Sequence, residues 1–260
     1  MNRIEKKFLE LKKENKKALI TYITAGTPTM ENTEKLIYTH EQAGASIVEI
    51  GIPFSDALAD GPTIQKAALD SLQNGTTIKS IFECVEKVRE NTDMPLVFMA
   101  YYNSILTYGV NKFINKCINV GIDGLIIPDL PLEEQEEVEG LLERDKLILI
   151  QLVAPTSKDR LKKITENKKG FIYCVSSLGV TGMNDSFYKE IDEYLNTVKE
   201  VTDLPIAVGF GIKTKEDVQR MKPFVDGVIV GSAIVKLVHE SNCNYDIVMD
   251  YIRELNNGLE

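Results

Sequence analysis

Eight short apolar runs recur along this chain, at residues 18–26, 47–53, 95–102, 124–130, 147–155, 171–177, 205–211 and 227–233. They are rich in Val and Ile, several open after Pro or Gly, and the stretches between them carry helical spacing and caps. Repeated alternation of parallel strand and helix permits a closed (β/α)8 barrel or a doubly wound open sheet. The count of eight favours closure. Residues 2–14 read as an extra helix against one end, and the long insertion after the second strand supplies a short helix near 62–72. The predicted fold is therefore α/β, a (β/α)8 barrel of the TIM type with an extra N-terminal helix and inserted short helices, formed as one domain over residues 1–260. In such a barrel, chemistry belongs to the loops at the C-terminal ends of the strands.

Charge and composition remove several classes of function. With 30 basic and 39 acidic residues the net charge is -9, which argues against nucleic acid or an anionic membrane as a main partner. The N-terminus, M-N-R-I-E-K-K-F-L-E-L-K-K-E-N, reads as a charged amphipathic helix rather than a signal peptide. No apolar run approaches the roughly 20 residues that span a bilayer, so a soluble, cytoplasmic protein is expected. Cys84, Cys117, Cys174 and Cys243 lack C-x-x-C spacing and are expected to be reduced, structural thiols. His40 and His239 lie on predicted helices with no metal-ligand pattern around them. Glu133, Glu134, Glu136 and Glu137 fill the first turns of a helix and read as a solvated, dipole-favoured face.

The chemistry concentrates at Ile47 to Pro62, I-V-E-I-G-I-P-F-S-D-A-L-A-D-G-P. On a buried strand the period of two sends Val48, Ile50 and Ile52 to one face and Ile47, Glu49 and Gly51 to the other. Glu49 therefore points into an interior, where an unpaired carboxylate needs a partner, a shifted pKa or a catalytic task. Asp60 follows on a loop, where Asp-Gly-Pro also suits a plain turn with Pro62 opening a helix. Glycine-bearing loops at 179–182 (G-V-T-G), 209–211 (G-F-G) and 231–233 (G-S-A) follow the sixth, seventh and eighth strands. Backbone N–H groups there, with a helix starting at Ser232, suggest a phosphate cradle.

These residues support a resemblance. V-E-I-G-I at 48–52 followed by P-F-S-D-A-L-A-D-G-P-T-I-Q at 53–65 closely resembles the signature of the tryptophan synthase alpha chain family. Y-I-T-A-G at 22–26, Y-Y-N at 101–103, P-D-L-P at 128–131, G-V-T-G, G-F-G and G-S-A-I-V at 231–235 extend it over nearly the whole chain. The resemblance implies a (β/α)8 enzyme that cleaves indole-3-glycerol phosphate to indole and glyceraldehyde 3-phosphate, a carbon–carbon lyase reaction of tryptophan biosynthesis. Indole would pass to a beta subunit in an alpha2beta2 heterotetramer. No metal or cofactor is implied for this chain, since pyridoxal phosphate belongs to the beta subunit.

By resemblance, Glu49 is the general acid/base and Asp60 the carboxylate that meets the indole nitrogen. Tyr22, Tyr101 and Tyr173 match positions lining or supporting the substrate pocket, with apolar walls expected from Leu125, Ile127 and Val153. Spacing alone would read the aromatic residues as core. Thr181 matches a residue that closes over substrate and helps order Asp60, while Gly182, Phe210, Gly211, Gly231 and Ser232 match the phosphate site. Ala57 replaces a usual Pro, Ser177 stands where some members have Arg, and Lys213 where Ser is common. These departures bear on loop closure and partner coupling. Three other readings fit parts of the pattern: a sugar-phosphate isomerase or epimerase barrel, a noncatalytic metabolite-binding partner, and a stand-alone indole-releasing lyase.

Overall fold

The computed structural model describes residues 1–176, 185–209 and 211–260, with side chains for all of these except 185–189. The apolar runs form strands β1 (Ala18–Thr24), β2 (Ile47–Gly51), β3 (Leu96–Met99), β4 (Gly124–Ile126), β5 (Ile148–Leu149), β6 (Gln151–Val153), β7 (Ile172–Val175), β8 (Ile206–Gly209) and β9 (Gly227–Val230). Their order is β5-β4-β3-β2-β1-β9-β8-β7-β6, and every pairing is parallel. β5 and β6 are one run interrupted at Ile150, whose N–H still donates to the Leu125 carbonyl at 2.8 Å. The two ends of the strand order therefore meet through continuous chain, which closes the barrel at the predicted count of eight runs.

Register then decides which residues face inward. Tyr22 lies opposite Glu49, Glu49 opposite Val97, and Val97 opposite Gly124. With period two, this parity places Ile20, Tyr22, Ile47, Val97, Met99, Ile126, Ile148, Ile150, Tyr173, Ala207 and Ile229 in one interior cluster. The opposite parity, including Val48, Ile50, Leu96, Phe98, Leu125, Val153 and Cys174, packs against the surrounding helices in a second, larger core. Phe82, Phe98, Tyr108 and Phe113 form an aromatic cluster in that outer layer, with ring centroids 5.5–6.4 Å apart.

The N-terminal helix, Arg3–Lys13, closes one end. Asn2 and Glu5 make a reciprocal capping box at its start. Ile4 and Phe8 join the interior cluster, and the Phe8 ring lies 5.6 Å from Phe171. Asn2 Nδ2 donates to the carbonyls of Asp123 and Lys146, both at 2.9 Å. The buried Asp123 carboxylate accepts from Arg3 at 3.1 Å, from Arg89 at 2.7 Å and from the Leu96 N–H at 2.9 Å. A buried charge held by two guanidinium groups and a backbone donor is compensated, so this contact staples the helix to the strand starts.

The loops that follow the strands gather at the opposite end. After β2 the chain inserts the helix Pro62–Gln73 before the helix Ile78–Arg89, as the long second connection predicts. All four cysteines are buried and free. His40 is fully buried on the helix Met30–Gln42, with Nδ1 2.9 Å from Thr21 Oγ1, and burial pushes its pKa down to about 3. Glu133 pairs with Arg160 at 2.5 Å and with Lys163 at 3.7 Å on an exposed face. Among the described residues, no helix is long and apolar enough to cross a membrane.

Candidate active site

Glu49 sits in the middle of β2 and is 1% exposed. Its Oε2 has no hydrogen-bond partner among the described residues. Burial, and then the nearby Asp60 charge, push its pKa up to about 8, so the carboxyl is largely protonated at neutral pH. This differs from the buried Asp123, whose oxygens are occupied. A buried carboxyl oxygen without a fixed partner among the described residues is available to exchange a proton with something that enters the barrel.

Asp60 reaches the same space from the loop after β2. The turn and the helix opened by Pro62 form as the local sequence suggests, but Gly61, not Asp60, occupies the N-cap position of Pro62–Gln73, so the Asp60 side chain is not a helix cap. The Asp60 side chain instead accepts a hydrogen bond from the Tyr101 hydroxyl at 3.0 Å. Burial raises its pKa to about 6, an effect opposed by the Tyr101 bond. Gln65 Nε2 holds the loop backbone, donating to the carbonyls of Ala57 at 3.1 Å and Asp60 at 2.9 Å. Ala57, where the family pattern has Pro, is buried, and its carbonyl also accepts from the Asp60 N–H at 3.1 Å.

Two further phenols enter the interior because glycines make room. A Cβ on Gly51 would lie 1.9 Å from the Tyr22 hydroxyl, and one on Gly209 would lie 2.5 Å from that of Tyr173. Both tyrosines are buried. Their pKa values are pushed well above the usual phenol range by burial and by the negative charges of Asp60 and Glu49. Both therefore remain neutral hydroxyls beside the acid pair.

The predicted apolar walls need correction. Leu125, Ile127 and Val153 are buried, but they pack in the outer layer against the helices. The interior face at these strands carries Ile126 and Leu152, with Met99, Val175 and Ile64 packed on the same cluster. A one-residue offset on a strand exchanges the two faces, and both faces here are apolar. Parity counted from Glu49 across the register finds the interior set.

Of the predicted phosphate positions, Gly211 and Gly231 follow the neighbouring strands β8 and β9. Gly211 has φ +83°, and Gly231 is the N-cap of the helix Ser232–Glu240, whose first residue is the predicted Ser232. Its first-turn N–H groups and positive dipole end suit an anion. Thr181, Gly182, Phe210 and Ser177 lie outside the described residues. Ser176, not singled out in the sequence, is buried at the end of β7, and its Oγ donates to the Gly209 carbonyl at 3.1 Å. Among the described residues, no group of three or more His, Cys, Asp or Glu side chains could hold a metal ion.

A neutral interior carboxyl beside a second, more readily ionised one, at the loop end of a closed parallel barrel, places the chain among (β/α)8 proteins equipped for acid–base chemistry at the strand C-termini. Comparison with known proteins makes this specific. Residues 8–259 match the family model described as tryptophan synthase alpha chain. A tryptophan synthase alpha chain from Lachnospira eligens is 48% identical over 263 residues, covering 98% of this chain and 100% of that one. One from Thermoanaerobacter sp. (strain X514) is 54% identical over 238 residues, covering 92% and 91%. The crystal structure of tryptophan synthase subunit alpha from Legionella pneumophila str. Paris superposes with a TM-score of 0.91 at 33% identity, covering 100% of this chain and 98% of that one. The chain belongs to the tryptophan synthase alpha chain family, an enzyme subunit whose family implies a beta-subunit partner.

Proposed function

We propose that this chain catalyses the retro-aldol cleavage of indole-3-glycerol phosphate to indole and glyceraldehyde 3-phosphate, as the lyase component of tryptophan synthase. The observation that carries the reading is the buried Glu49 carboxyl, its Oε2 without a hydrogen-bond partner among the described residues and its pKa pushed up to about 8 next to Asp60. Cleavage needs an acid first and a base second at nearly the same place. Protonated Glu49 delivers its proton to C3 of the indole ring, giving an indoleninium. The resulting carboxylate then takes the proton of the hydroxyl on the carbon attached to C3. The bond between that carbon and C3 breaks, its electron pair returns to the ring, and the carbonyl of glyceraldehyde 3-phosphate forms. Glu49 ends as it began, protonated.

Asp60 acts electrostatically in this scheme, accepting a hydrogen bond from the indole N–H as positive charge develops on the ring. It does so as the carboxylate, which its pKa of about 6 allows at neutral pH. Gly211, Gly231 and Ser232 would hold the phosphate, with Gly182 and Phe210 completing the cradle and Thr181 closing over the substrate. Tyr22, Tyr173 and the interior faces of Ile126 and Leu152 would flank the indole. No step calls on a metal or a bound cofactor in this chain, and pyridoxal phosphate is assigned to the beta subunit. Leu58, 92% exposed on the loop that bears Asp60, and Leu106, 49% exposed after β3, support docking of that subunit at the open end. The assembly proposed is an alpha2beta2 complex in the cytoplasm.

The test is incubation of the purified chain with indole-3-glycerol phosphate, alone and with a matching beta subunit. Indole and glyceraldehyde 3-phosphate are expected in equal amounts. Substrate turnover without a triose product would overturn the reading.

A further inference from the structure

Asp60 sits on a surface loop, yet its role demands a fixed carboxylate. A fixed contact that supplies such order comes from the neighbouring strand β3. Tyr101 follows β3 and is anchored on both sides by backbone bonds: the Ala100 N–H donates to the Ile126 carbonyl at 3.0 Å, and the Tyr102 N–H donates to Asp129 Oδ1 at 2.8 Å. Its side chain is only 4% exposed. From this strand-end position it contacts the loop after β2 at three places. Its hydroxyl donates to Asp60 Oδ2 at 3.0 Å and accepts from the Ala59 N–H at 3.0 Å, while its ring stacks on Phe54 at 5.2 Å and 26°. One hydroxyl thus fixes both the carboxylate and the peptide before it, and the ring holds the start of the loop.

We infer that Tyr101 is the positioning residue for Asp60, aiming one carboxylate oxygen into the barrel by occupying the other and by clamping the loop at residues 54, 59 and 60. This rests on the cleavage reading above. The Tyr101 phenol is well suited to the task, because burial and the Asp60 charge raise its pKa far above neutral and keep it a donor. Its bond lowers the pKa of Asp60 against the effect of burial. The other ionisable groups that feel the Asp60 charge are Glu49 on β2, Tyr22 on β1 and Tyr173 on β7, all neutral near pH 7.

Tyr101→Phe separates positioning from packing, since it keeps the ring against Phe54 and removes only the hydroxyl. In the free protein, carboxyl NMR of 13C-labelled aspartate should show the Asp60 midpoint moving upward from about 6. With indole-3-glycerol phosphate, kcat should fall between about 10- and 100-fold while KM changes less than about threefold. In an Asp60→Asn background the same substitution should add less than about threefold, because its target is gone. An unmoved Asp60 midpoint, or equal losses in both backgrounds, would overturn the inference. The NMR result stands whether or not the chain cleaves this substrate, so failure of the cleavage reading is seen separately, as an inactive parent protein.

Discussion

Two carboxyls eleven positions apart in the chain carry opposite protonation states at neutral pH, and environment alone separates them. Glu49 is enclosed, its Oε2 without a partner among the described residues, and burial pushes its pKa up to about 8, whereas Asp60 is half-buried and bonded by Tyr101, and burial raises it only to about 6. The proposed chemistry uses Glu49 protonated and Asp60 ionised, so kcat/KM for indole-3-glycerol phosphate should follow a bell between about pH 6 and about pH 8. Because the two interact, the limbs belong to the pair. A profile that rises steadily to pH 9 would reject protonated Glu49 as the starting acid. Stability gives an independent reading. The folded pKa of Glu49 lies above its unfolded value, so the folded state holds the extra proton between about pH 4.5 and about pH 8. Stability from this group is complete below that window and is lost as pH rises through it. Glu49→Gln, which cannot ionise, should therefore gain stability over the parent by on the order of a few kcal/mol from pH 5 to pH 8, measured by urea unfolding. A constant difference across that range would show that Glu49 is not held neutral.

At the level of elements, the barrel divides into a stapled end and a working end. The helix Arg3–Lys13 contributes Phe8 to the interior against Phe171, on the side where the strands begin. Phe8→Ala should cost about 3 kcal/mol of unfolding free energy while kcat/KM stays within about twofold, since the cavity opens far from the strand C-termini. A collapse of activity with the fold retained would tie this plug to the site. This division was legible in the sequence, because eight apolar runs with helices between them leave few other closures, and the amphipathic N-terminus had no place among them. Glu49 was legible too, as an acid within an apolar strand. Leu125, Ile127 and Val153 were not placed correctly, because β4 and β6 are apolar on both faces and a run such as G-L-I-I-P carries no alternation to mark the interior. Only the register from Glu49 through Val97 and Gly124 settles it. The inward turn of Asp60 was equally hidden, because Asp-Gly-Pro encodes a turn whether or not the side chain meets a tyrosine from the next strand. Ser176 gave no local signal, since a serine after an apolar run is ordinary loop chemistry.

For the whole molecule, the arrangement joins a rigid carboxyl on a strand to a second one on a loop that partner contact can reach. Asp60 depends on Tyr101 and Gln65 for its order, and exposed Leu58 lies on the same loop. Titrating a matching beta subunit into the purified chain at saturating substrate should raise the rate of indole formation, as the productive loop geometry becomes more populated. If the complex forms and the rate stays flat, the chain is a self-sufficient lyase. In the proposed cleavage one interior glutamic acid supplies both proton transfers. The most direct measurement is the rate of indole release from indole-3-glycerol phosphate by Glu49→Gln and by the parent, at pH 7, with glycerol phosphate affinity measured on both. A loss of at least about 100-fold is expected with that affinity unchanged. Turnover within about threefold of the parent would contradict it.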